Sequence, residues 1–132
     1  MTVTIFHNPA CGTSRNTLAM IRASGVEPTV VPYVAAGWDR AELERLIAAA
    51  GLSPREVLRS KGTSAEARGL LEPDVTDAAI LEAMIAEPVL VERPIVETPK
   101  GVRLCRPSEA VFDLLDNPPA RFVKEDGEVV ER

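Results

Sequence analysis

The sequence predicts an α/β fold: a mixed four-stranded sheet flanked by helices, with a helical insertion between a βαβ half and a ββα half. Three observations lead there. An apolar run, a helical pattern and a β-branched run follow one another before Pro32; helix-periodic segments then fill the chain from Asp39 to Glu87; and a hairpin followed by one more helical pattern occupies Ile95 to Leu115.

Val3, Ile5 and Phe6 supply the β-branched and aromatic residues of a short first strand, which the turn chemistry of Asn8-Pro9 ends. Leu18 and Ile21 continue a helix that stops at Ser24-Gly25, and Thr29, Val30 and Val31 form a second strand closed by Pro32. A crossover of this kind makes the two strands parallel and is right-handed in nearly all cases. Asp39-Arg40-Ala41-Glu42 has the form of a capping box, with Leu43, Leu46, Ile47 and Ala50 on one face and Gly51 as the stop. Ser53-Pro54-Arg55-Glu56 repeats that signal and opens a short helix delivering Arg59. Ser60 to Gly69 is polar and contains glycine, which makes it the first candidate for a mobile loop. Thr76 caps a helix carrying Ile80, Ala83 and Met84 that ends at Glu87-Pro88. Ile95, Val96 and Thr98 form a strand, Pro99-Lys100-Gly101 a turn, and Val102 to Cys105 the antiparallel return. Ser108 caps a last helix with Val111, Phe112, Leu114 and Leu115 toward the core, stopped by Asn117-Pro118-Pro119. Residues 1–132 read as a single domain, with about 118–132 a charged, turn-rich tail of low information.

Between the first strand and first helix lies His7-Asn8-Pro9-Ala10-Cys11-Gly12-Thr13-Ser14-Arg15-Asn16. The backbone N–H groups of Gly12, Thr13 and Ser14 are unpaired in the first helical turn, so Cys11 faces the positive end of the helix dipole. Helix N-termini beside cations lower a cysteine pKa from about 8.5 into the range of roughly 3.5 to 7.5, and the thiolate is the nucleophile. His7 and Arg15 are available to add positive charge, and no Asp or Glu precedes Glu27. The donors that favour a thiolate also suit an oxyanion. The bland alternative, a buried inert cysteine, fits this turn less well.

Charge and composition narrow the classes. A formal net charge of -5 and a pI near 4.9 argue against nucleic-acid binding, which rests on a basic surface. Two separated cysteines make no disulfide framework, no apolar run has membrane length, and the first residues lack a signal-peptide layout. A reducing cytoplasm is the expected compartment. Neither a metal site nor a bound cofactor is expected.

The hairpin carries the second informative feature. With a three-residue turn, Arg93 and Arg106 fall within one residue of opposition at its open end, and each precedes a proline. Paired arginines can be a solvated face. They also form a donor fork suited to a tetrahedral oxyanion.

The order β, α, β, several helices, β, β, α, with a cysteine opening the first helix, is the thioredoxin-like order with a helical insertion. In that fold the third strand runs antiparallel to the first, which places Arg93-Pro94 beside Cys11. The sequence also resembles the glutaredoxin-coupled arsenate reductases over residues 2 to 115, through His7 to Asn16, Leu58-Arg59, Arg93-Pro94-Ile95-Val96 and Arg103 to Glu109. The resemblance implies a cis Arg93-Pro94 bond. It implies that Cys11 attacks arsenate, that Arg59, Arg93 and Arg106 bind the oxyanion, and that His7, with Ser14 and Arg15, supports the thiolate. Glutathione as co-substrate and glutaredoxin as partner would complete reduction to arsenite.

Ser14 stands where a Cys-x-x-Cys motif would have its second cysteine, which favours an external thiol over an internal disulfide. Cys105 reads as a packing residue. A phosphatase loop of Cys-x5-Arg form would need arginine at Thr17. Relatives that regulate RNA polymerase and sense redox state through Cys-x-x-Cys would miss the cysteine at Ser14. A monothiol glutathione-dependent oxidoreductase acting on another substrate is the runner-up; it keeps Cys11 but has no need of Arg93 and Arg106.

Overall fold

The computed structural model describes residues 1–132 and resolves into two compact units, Met1–Pro32 with Arg93–Arg132, and Tyr33–Glu92. The first holds the sheet, in the order β2-β1-β3-β4, built from β1 (Thr4–Phe6), β2 (Thr29–Val31), β3 (Ile95–Thr98) and β4 (Gly101–Leu104). β1 pairs parallel with β2, Ile5 against Val30, and antiparallel with β3, Phe6 against Ile95. The crossover is α1 (Gly12–Ala23), whose buried face of Ser14, Thr17, Met20 and Ile21 recurs every three or four residues. Gly25, at φ +88°, ends it in the left-handed conformation that glycine adopts without cost.

Met20 and Ile21 pack with Val3, Ile5, Val96, Cys105, Val111, Leu114 and Leu115 into one core cluster. Complete burial of each large aliphatic side chain stabilises the fold by about 1.5 to 3 kcal/mol. Three features of this unit differ from the sequence reading. The β3–β4 turn has two central residues, since Thr98 pairs directly with Gly101. The final helix, Ser108–Leu114, is 3₁₀: its buried residues Ser108, Val111 and Leu114 are spaced by three, the period of that helix, and Phe112 falls off this face and is only half-buried. Ser108 is therefore its first residue and makes no cap; Pro107 occupies the cap position.

The last residues are structured. β5 (Arg121–Val123) and β6 (Val129–Glu131) form a hairpin that packs Phe122 and Val130 against the core cluster. Lys124, its side chain largely covered, pairs with Glu109 at 2.9 Å and Glu128 at 3.3 Å. Asp126-Gly127, with Gly127 at φ +94°, is the turn signal that identifies such a hairpin, but strands of three residues with one inward side chain each show no periodicity.

The second unit is helical. It contains α2 (Tyr33–Ala36), α3 (Arg40–Ala49), α4 (Asp77–Ala86) and 3₁₀ turns at Arg55–Val57 and Pro88–Leu90. The expected caps are present: Asp39 accepts from the Glu42 N–H at 3.0 Å, Thr76 accepts from the Ala79 N–H, and Ser53 and Glu56 cap each other reciprocally. Tyr33 stacks on Trp38 with ring centroids 4.9 Å apart and donates its hydroxyl to the Val91 carbonyl. The polar segment from Ser60 to Gly69 is tied down at several points. Thr63 Oγ1 donates to the Arg59 carbonyl, Ser64 and Arg68 both donate to Glu87, and Ala65 is fully buried.

Candidate active site

Cys11 caps α1 at its N-terminus with extended backbone (φ -104°, ψ 122°) and makes no side-chain cap bond, so its Sγ is not spent on the helix. The preceding turn is closed by Asn8: its side-chain Oδ1 accepts the Ala10 N–H and its carbonyl accepts the Cys11 N–H, both at 3.0 Å. Burial of Cys11 raises the thiol pKa, but the Ser14 backbone N–H and the guanidinium groups of Arg93 and Arg106 outweigh it, and the pKa is lowered overall. The geometry thus favours a thiolate.

Continuing the β3–β4 register outward sets Arg93 opposite Arg106, one step closer than a three-residue turn allows. Arg106 Nη1 donates to the Arg93 carbonyl at 2.9 Å and lies 3.9 Å from Cys11 Sγ. The bonds Arg93-Pro94 and Arg106-Pro107 are both cis. Arg93 is only 9% exposed, and its Nε and Nη1 have no hydrogen-bond partner. Buried donors left unmade cost about 1 to 3 kcal/mol each. Beside a cysteine whose pKa is lowered, the Arg93 guanidinium thus has two buried donors open to a group that supplies acceptors.

His7 and Arg15 do not supply the free charge expected of them. Burial, followed by the fields of Arg22 and Arg15, lowers the His7 pKa and keeps the ring neutral. The Asn8 N–H donates to Ser14 Oγ, which leaves the Ser14 hydroxyl proton for His7 Nδ1 at 2.6 Å. His7 and the buried Ser14 side chain therefore brace the turn, while the Ser14 backbone faces Cys11. Arg15 is bound by Glu125, with Nε to Oε2 at 3.1 Å and Nη2 to Oε1 at 2.7 Å, and its Nη1 donates to the Pro9 carbonyl at 2.8 Å. Glu125 lies 110 residues away in sequence, outside the reach of local reading.

Arg59 belongs to the second unit, where Nη1 pairs with Glu92 at 2.7 Å and Nε donates to the Lys61 carbonyl. Cys105 is fully buried in the core cluster, and burial pushes its thiol pKa up to about 12. No group of His, Cys, Asp and Glu side chains is placed to hold a metal ion, and no helix is long and apolar enough to cross a membrane.

Residues 6–114 match the ArsC family. The chain is 58% identical to an arsenate reductase of Rhizobium meliloti over 131 residues, covering 98% of this chain and 94% of that protein. It is 53% identical to an arsenate reductase of Escherichia coli over 129 residues, covering 97% and 92%. Among solved structures, an arsenate reductase from Vibrio cholerae superposes with a TM-score of 0.82 at 37% identity, covering 87% of this chain and 98% of that one. Sheet order, cysteine turn and family match agree, and this chain belongs to the ArsC family, with its thioredoxin-like fold.

Proposed function

We propose that this protein is a cytoplasmic arsenate reductase in which the Cys11 thiolate attacks arsenate held by Arg93 and Arg106. One observation carries the reading: Arg93 keeps two buried donors without partners beside a cysteine whose pKa is lowered. Arsenate has the tetrahedral shape and charge to supply those acceptors. The alternative of a non-oxyanion substrate leaves the Arg93 donors unexplained. Arg59 takes a third oxyanion-binding place by family resemblance, with His7, Ser14 and Arg15 supporting the turn.

Attack by Cys11 Sγ forms an S–As bond as an arsenic–oxygen bond breaks and the oxygen leaves as water. The helix N-terminus and guanidinium groups hold the charge on the remaining oxygens. Glutathione as co-substrate then supplies an external thiol. When the two sulfurs join as a disulfide, the electron pair of the S–As bond stays on arsenic, which is reduced to arsenite. Glutaredoxin returns Cys11 to the thiol, and no bound cofactor is needed. Ser14 in the resolving position of a dithiol motif and the deep burial of Cys105 support an external reductant.

The test is arsenate-dependent NADPH consumption coupled through glutathione, glutaredoxin and glutathione reductase, run beside a thioredoxin and thioredoxin reductase arm. Turnover in the first arm is expected. Turnover confined to the second would replace the reductant, and turnover in neither would refute the reading.

A further inference from the structure

The contact between Arg15 and the C-terminal hairpin has no part in the chemistry above. Glu125, in the β5–β6 turn, accepts two hydrogen bonds from Arg15, and its own backbone N–H donates to Asn16 Oδ1 at 3.0 Å. The carboxylate lies so close to the start of α1 that a Cβ at Gly12 would stand 3.0 Å from Oε1. The hairpin is held from behind by Phe122, Val130 and Lys124. The third donor direction of Arg15 goes to the Pro9 carbonyl, in the turn that presents Cys11.

Resting on the assignment of Cys11 as nucleophile, we propose that Glu125 is a positioning residue for the cysteine turn: it occupies two donors of Arg15, so that this cation holds the Pro9 carbonyl instead of an incoming oxyanion, and anion recognition is left to Arg93 and Arg106. Both partners of the pair are half-exposed, so its weight in global stability is small. Its effect is on the local charge. The charged groups that act on Cys11 are Arg93 and Arg106 from the hairpin of β3 and β4 and Arg15 on its own helix; Glu125, with Asp126 next to it, acts on Arg15, and His7 at the end of β1 is neutral. The hydrogen bonds from Arg15 hold the Glu125 carboxyl below the usual carboxylate range, so the pair stays charged and mutually cancelled through neutral pH.

The test uses the full chain with Glu125→Gln, Arg15→Gln, the double variant and Glu125→Asp. Two quantities are read by mass spectrometry of the Cys11 peptide: the pH midpoint of iodoacetamide alkylation and the concentration of inorganic phosphate that halves its rate. Glu125→Gln is expected to move the midpoint to lower pH and to cut the half-protecting phosphate concentration roughly threefold, the effect of one extra screened cation. Arg15→Gln moves the midpoint to higher pH, the double variant returns it close to the native value, and Glu125→Asp preserves it. A role confined to holding the fold together would not move the two single variants in opposite directions. Coinciding midpoints in the native protein and both single variants would overturn the proposal, as would weaker phosphate protection in Glu125→Gln. If phosphate fails to protect even the native cysteine, the oxyanion reading of the site fails, and the alkylation midpoints alone decide the role of Glu125.

Discussion

The two cysteines of this chain are both removed from solvent, yet the protein drives their acidities apart: Cys11 is lowered and Cys105 is pushed up to about 12. Burial penalises both thiolates. At Cys11 an N–H from the first turn of α1 and two guanidinium groups reverse that penalty. At Cys105 only Arg103 acts against it, while Val111, Leu114 and their neighbours pack around the core to which it belongs. Reactivity here belongs to the surroundings of the sulfur, and a thiol becomes a tool only where donors converge on it.

The largest effect that would break this contrast is the loss of one thiol. Cys11→Ser should abolish arsenate turnover in the coupled assay, whereas Cys105→Ala, which removes a sulfur without inserting a polar group, should keep most of it. Equal loss in the two variants would point to an internal disulfide. Next in size are the guanidinium groups. Arg93→Lys and Arg106→Lys keep the charge but lose the planar fork, and should each weaken kcat/KM for arsenate by about 1.5 to 3 kcal/mol. Arg93 should show the larger loss, because its Nε and Nη1 are buried and lack partners whereas Arg106 is exposed. Normal kcat/KM in both variants would make the pair structural.

The smallest effect sharpens the contrast through pH. The Cys105 pKa is raised in the folded protein to about 12, while a thiol in the unfolded chain ionises near 8.5. Its contribution is therefore complete below about 8.5 and is lost as pH rises toward about 12, so urea midpoints should fall across that interval and fall less in Cys105→Ala. For Cys11 the sign is opposite: its pKa is lowered on folding, so its contribution is present above the unfolded thiol pKa and is lost as pH falls through the folded value. Cys11→Ser should remove that loss on acidification, and identical pH profiles for the two variants would refute the contrast.

Much of this site was legible in sequence because its causes are local. A β-branched run, Asn8-Pro9 and a helix opening at Gly12 put Cys11 at a dipole end without reference to distant residues. The pairing of β3 and β4 was also within reach, but the register depended on whether Gly101 belonged to the turn or the strand, and it pairs with Thr98. The 3₁₀ run after Pro107 has apolar positions that fit either helical period. What sequence did not reveal was the compensation of charge: Arg15 meets a carboxylate from the far end of the chain, and His7 is neutral because the fold buries it. Charge counted along a segment becomes potential only once the partners from other elements are known.

Cys11 also occupies a position that stability alone would fill differently. Ser, Thr, Asp or Asn at the capping position of a helix satisfies an orphan N–H and is typically worth about 1 kcal/mol over a residue that makes no cap, and Cys11 makes none. The start of α1 is therefore an under-optimised joint, with a sulfur where a capping oxygen would sit. At a pH low enough to keep the Cys11 thiol protonated in the folded protein, Cys11→Ser should therefore melt no lower than its parent, because a serine hydroxyl can cap the helix start that the sulfur leaves open.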